Sequence, residues 1–141
     1  MTRIDFYVLA SENPGEIQTF ACRLAEKAFR SGLHVLIAVD NAEQAQELDD
    51  LLWTYREDSF LPHAQQNKDQ QAAIEINSGE DPGHHHGLLI NLSSDIPAWF
   101  SRFERLAEIV CQHPESLTRS RTRYSHFRDR GYPLQSHNIT N

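Results

Sequence analysis

The sequence predicts a single α/β domain with a mostly parallel sheet and helices packed on it. Three observations carry this. Strand-length apolar runs alternate with amphipathic helical stretches as far as Trp53. Leu33 to Val39 is nearly continuous apolar chain, broken only by His34, which is the pattern of a strand covered on both faces. A length of 141 residues with 39% apolar content suits one core of ordinary size.

The elements follow in order. Ile4 to Leu9 reads as a first strand. Asn13 is a good N-cap, and Pro14 suits a first helical turn. Ile17, Phe20, Ala21, Leu24, Ala25, Ala28 and Phe29 recur at helical spacing until Gly32 stops the helix. After the strand ending at Val39, Asp40 is the expected cap of a second helix with the stripe Ala42, Ala45, Leu48, Leu52 and Trp53. Residues 54–70 break the alternation, and Ser59-Phe60-Leu61-Pro62-His63 puts two large apolar residues in a loop. Ala72 to Ile76 predicts a short strand, residues 77–87 a turn-rich loop, and Gly87 to Leu92 another buried strand.

Residues 97–112 allow two readings. Trp99, Phe103, Leu106 and Val110 share the spacing of one helix. A short helix to about Phe103, followed by a strand from Arg105 to Cys111, serves the sheet better and is preferred. Pro114-Glu115 opens a last helix that runs to about Arg130, with Gly131 as its stop. The domain is expected to span residues 1–132. Residues 133–141 are polar, lack periodicity and are expected to form a loose tail.

Several classes of chemistry are disfavoured. No apolar run approaches the roughly 20 residues of a membrane helix, and the N-terminus does not read as a signal peptide. Two cysteines, Cys22 and Cys111, are too few for a disulfide scaffold, which points to a reducing cytoplasm. The turn Ala10-Ser11-Glu12-Asn13-Pro14-Gly15 lacks the spaced glycines of a phosphate cradle, and Glu12 and Glu16 would repel the phosphate. No Gly-Lys-Ser/Thr or Gly-x-Ser-x-Gly motif occurs. His84-His85-His86 reads as a solvated loop that picks up metal adventitiously, because further ligands at defined spacing are not evident. No catalytic residue, metal or other cofactor, and no small-molecule substrate, is expected.

Two constellations remain. Residues 114–141 hold five arginines against Glu115 and Asp129, a balance of +3, while residues 1–113 hold eight basic and eighteen acidic groups, a balance of −10. Within the basic end, Arg121, Tyr124 and Arg128 lie at i, i+3 and i+7 and share one helix face. Cationic forks beside an aromatic ring suit a peptide with carboxylates and an aromatic side chain, or single-stranded nucleic acid. The plainer alternatives are a solvated arginine face and core roles for Tyr124 and Phe127. The second constellation is Trp53 with Phe60, Leu61 and Pro62, which forms either a docking patch or a loop folded back on the core.

These stretches carry a resemblance to a known family. Asp5-Phe6-Tyr7-Val8-Leu9, Ala28-Phe29-Arg30-Ser31-Gly32 with Val35-Leu36-Ile37-Ala38, Leu52-Trp53 with Ser59-Phe60-Leu61-Pro62-His63, and Arg121-Thr122-Arg123-Tyr124 with Phe127-Arg128 and Gly131-Tyr132 together resemble the chi subunit of the bacterial DNA polymerase III holoenzyme. Residues 64–87 and the tail match poorly. The resemblance implies a three-layer, nucleotide-binding-like (Rossmann-like) fold without a nucleotide site. It implies two partners: the psi subunit of the clamp loader, and the acidic C-terminal tail of single-stranded DNA-binding protein. By position, Trp53 and Phe60, with Leu61 and Pro62, match the psi-facing side. Arg121, Tyr124 and Arg128 match the pocket for the tail. Ser125 stands where the family can carry a lysine, another family lysine aligns near Leu117 to Arg119, and Arg119 or Arg123 is the candidate to supply the missing charge. The implied role is a non-catalytic, cytoplasmic accessory subunit that meets DNA mainly through its partners. The alternative is direct single-stranded nucleic-acid binding by the same arginines.

Overall fold

In a computed structural model of the chain, residues 1–57, 61–66, 72–79 and 81–140 are described. The first strand, β1 (Arg3–Leu9), alternates its side chains between two cores. Ile4 and Phe6 enter one, and Leu9 enters the other. Helix α1 (Gly15–Arg30) follows, with Asn13 accepting from the Gly15 N–H at 2.9 Å. It ends in a left-handed Gly32 (φ 91°), with Leu33 N–H bonded to Ala28 O and Gly32 N–H to Phe29 O, the Schellman pattern.

Strand β2 (Val35–Ala38) is buried on both faces, as its apolar run predicts. Helix α2 (Ala42–Thr54) is capped by Asn41, whose side chain accepts from Gln44 N–H at 2.9 Å. Asp40, the expected cap, is drawn elsewhere: its carboxylate accepts from the Ser94 N–H and hydroxyl, each at 2.7 Å. Of the expected α2 stripe, Ala45, Leu48 and Leu52 are buried, Ala42 is exposed and Trp53 is 50% exposed.

Three short strands follow: β3 (His63–Gln65), β4 (Ile74–Asn77) and β5 (Leu88–Asn91). A 3₁₀ turn, Phe100–Arg102, then leads into β6 (Arg105–Val110). This is the preferred of the two readings of residues 97–112. Helix α3 (Pro114–Asp129) ends in a second Schellman turn at Gly131, with Tyr132 N–H bonded to Phe127 O.

The last strand, β7 (Leu134–Ile139), corrects the expectation of a loose tail. It pairs in parallel with β1 over six register positions, Ile4↔Leu134 to Leu9↔Ile139. Its backbone groups have a strand to bond, and this outweighs the polar character of its side chains.

Among the described residues, seven strands form one parallel sheet in the order β3-β4-β2-β5-β6-β1-β7. Helices α1 and α2 cover one face over a core that includes Phe20, Ala25, Val35, Ile37, Leu52, Ile76 and Ile90. Helix α3 covers the other, over Ile4, Phe6, Leu36, Leu89, Phe100, Phe103, Leu106 and Phe127. The result is a three-layer α/β arrangement. Cys22 and Cys111 are buried free thiols, and burial pushes Cys22 up to about 12. Among the described residues, no helix is long and apolar enough to cross a membrane.

Candidate functional site

Helix α3 carries four of the five C-terminal arginines within its bounds, and their spacing sends them to different fates. Arg123 and Phe127, at i and i+4, form its buried stripe. Phe127 is fully buried among Phe6, Phe100 and Tyr132. Arg123 turns under the helix. It donates to Glu108 at 2.5 Å, to Ser93 O at 2.8 Å and to Ser94 O at 2.7 Å. Glu108 also accepts from Asn91 at 2.9 Å. Burial pushes the Glu108 carboxyl up, while Arg123 and Asn91 pull it back. Arg123 is therefore a structural residue and is spent before any partner arrives.

The remaining cations divide by helix geometry. Tyr124 is 38% exposed, and its ring rests on Phe6 at 5.4 Å between centroids. Arg121 and Arg128 are exposed on that same flank. Arg128 touches Asp129 at 3.3 Å, a pair open to solvent on both sides and so worth little. Ser125 is half-buried on the next rung. Arg119 lies two residues before Arg121 and projects from the opposite flank. There it bears on Asp40. Burial pushes the Asp40 carboxyl up, but the two bonds from Ser94, helped by Arg119 and Arg123, hold it below the ordinary carboxylate range. The structure thus brings Arg121, Tyr124 and Arg128 together and separates Arg119 from them.

The second constellation also divides. Leu61 is 1% exposed and belongs to the α1/α2 core, which corrects its assignment to an interface. Pro62 is exposed. Trp53 stands half out of α2 with its ring on His63, 4.6 Å between centroids. Phe60 lies outside the described residues.

A cleft of about 220 Å³ opens at the carboxyl ends of β5 and β6, lined by Asn91, Ser93, Glu108, His113, Arg119 and Arg123 among others. Ligands of parallel α/β sheets sit at such strand ends. Here the buried carboxylate and the guanidinium neutralise each other. Sequence reasoning missed this network. Its one signal was Glu108 inside the apolar run Leu-Ala-Glu-Ile-Val, where an acid needs a buried partner.

The histidine run is not uniformly solvated, contrary to expectation. His84 and His86 are exposed, but His85 is 3% exposed and hydrogen-bonded to the buried Glu75 of β4.

Fold and surface together define a class: a parallel α/β domain that presents a cationic, aromatic helix flank to the outside. A family model described as DNA polymerase III chi subunit, HolC, matches residues 1–135. The chain is 41% identical over 139 residues to the DNA polymerase III subunit chi of Pseudomonas aeruginosa, covering 99% of this chain and 98% of the relative. It is 32% identical to the subunit of that name from Haemophilus influenzae, with 95% of each chain covered. Identity to that from Escherichia coli is 27%, over 96% of this chain and 97% of the relative. The chain belongs to the DNA polymerase III chi subunit family, and its role is that of an accessory subunit in DNA replication.

Proposed function

We propose that this chain is a non-catalytic connector with two partners. One is the acidic C-terminal tail of single-stranded DNA-binding protein, held by Arg121, Tyr124 and Arg128. The other is the psi subunit of the clamp loader, docked on the side that carries Trp53. Together they tether the clamp loader to protein-coated single strands.

The observation that supports this best is the setting of Tyr124. It sits on Phe6 yet leaves part of its ring open, with exposed arginines one turn before and after it. An aromatic side chain has apolar wall there, and a carboxylate has paired N–H donors. The body of the chain is acidic, so the cations of α3 draw an acidic peptide to that end of the molecule. Trp53 supports the second contact, because half-exposed aromatic residues are favoured interface anchors.

The test is a titration with two ligands at several salt concentrations. One is an acidic peptide ending in an aromatic residue with a free α-carboxylate. The other is a bare single-stranded oligonucleotide. The proposal expects the peptide to bind more tightly, and amidation of its C-terminus to weaken it. Tighter binding of the oligonucleotide transfers the function to direct nucleic-acid contact.

A further inference from the structure

Strand β4 reads Ile-Glu-Ile-Asn, and its alternation sends Ile74 and Ile76 into the α1/α2 core and Glu75 and Asn77 to the opposite face. There the chain from Asp81 onward lies against the strand. Asn77 Nδ2 donates to Asp81 O at 2.7 Å, and Gln66 Nε2 donates to Pro82 O at 2.9 Å. This lays the histidine run over Glu75.

Three donor groups meet at that point. The Glu75 carboxylate and the His84 and His85 imidazoles place one potential ligand atom each within 4.8 Å of one another. Glu75 is 1% exposed and His85 3%, whereas His84 stands at the surface and gives an ion a way in. The His85 ring uses Nε2 toward Glu75, while its buried Nδ1 has no hydrogen-bond partner among the described residues. A buried polar nitrogen without a partner is costly. One nitrogen of the His85 ring already faces the Glu75 carboxylate, so an ion entering between them would take both groups as ligands. The His34 ring, 6.1 Å from that of His85, is a further imidazole close by.

We propose that Glu75, His84 and His85 form a zinc site that staples the histidine segment to β4. One carboxylate with two imidazoles suits zinc, while calcium and magnesium prefer all-oxygen sets. Binding would bring each ligand atom to about 2.0–2.2 Å from the ion. His86 is not part of the cluster. Its Nδ1 faces His84 O at 3.4 Å.

The test is a calorimetric titration of the metal-free, full-length, untagged chain with zinc chloride, paired with thermal melts. One ion per chain and a raised melting temperature are expected. His84→Ala, a surface change that leaves the fold alone, should weaken binding about tenfold or more. Glu75→Gln should do the same wherever its circular dichroism is that of the folded chain. His86→Ala should leave affinity unchanged. The proposal fails if wild type binds no zinc. It also fails if His86→Ala weakens binding as much as His84→Ala does. It fails again if the urea-unfolded chain binds as tightly as the folded one, since the run alone would then hold the ion.

Discussion

Arg123 and Glu108 close on each other at 2.5 Å beneath α3, sealed between that helix and the sheet. Removing one member of a buried pair strands the other charge, which typically costs about 3–5 kcal/mol. Arg123→Ala should lose stability on that scale in urea denaturation, while Arg121→Ala should stay within about 0.5 kcal/mol of wild type. The loss should depend on pH. Burial already pushes the Glu108 carboxyl up, and without Arg123 only the Asn91 hydrogen bond and the charge of Arg119 pull it down. A raised folded pKa gives a contribution that is present at low pH and lost as pH rises through it. The deficit of Arg123→Ala should therefore be smaller in mild acid and grow toward neutral pH. A deficit independent of pH would mean that Glu108 is not the partner that matters.

Leu61 and Trp53 make an opposed pair. Leu61 is packed in the core, so Leu61→Ala should cost about 2–5 kcal/mol. Trp53 is half exposed, so Trp53→Ala should change stability by about 1 kcal/mol or less. If Trp53 anchors psi as proposed, the same variant should lose psi in a pull-down while melting like wild type. A Trp53→Ala chain that melts far lower is reporting a core residue.

Strand β7 makes the C-terminus part of the sheet. Stacking of His137 on Tyr7, and its bond to the buried Asp5 at 2.9 Å, add to the backbone ladder. Deleting residues 134–141 should lower the melting temperature by about 4 °C or more, the shift that ~1 kcal/mol gives in a domain of this size. A dispensable tail would show no shift.

The reason β7 was unreadable is physical. Central strands β2, β4 and β5 are buried on both faces, and burial writes itself as apolar residues. An edge strand in contact with water leaves Gln135, Ser136 and Asn138 exposed, and they look like loop. Asp40 and Asn41 are equally good caps in sequence. Only Ser94, 54 residues away, decides between them. The arginines of α3 pose the same difficulty. The spacing of Arg121, Tyr124 and Arg128 was legible from helical periodicity alone. The burial of Arg123 depends on a carboxylate in β6, and the exposure of Trp53 against the burial of Leu61 depends on packing across the sheet edge.

The flank of α3 yields the sharpest test of the proposed tail site. Arg128 follows Tyr124 by one turn, whereas Arg130 is two residues further on, on another side of the helix, with its guanidinium near His126 O at 3.3 Å. Both are exposed cations near the same helix end, so long-range attraction for an acidic peptide should be nearly equal for the two. Only Arg128 is placed to fork onto a carboxylate whose neighbouring ring lies on Tyr124. Arg128→Ala should therefore weaken the tail peptide about tenfold, from an affinity on the order of micromolar, with Arg130→Ala within about twofold of wild type. Tyr124→Ala should weaken it comparably by removing the apolar wall. Arg119→Ala, on the opposite flank, should behave like Arg130→Ala. Raising salt should weaken binding to all of these chains through screening, and the gap between Arg128→Ala and Arg130→Ala should persist. Titration of the peptide by fluorescence anisotropy reads every arm. Equal losses at Arg119, Arg128 and Arg130 would mean diffuse charge attraction rather than a pocket on the Tyr124 flank.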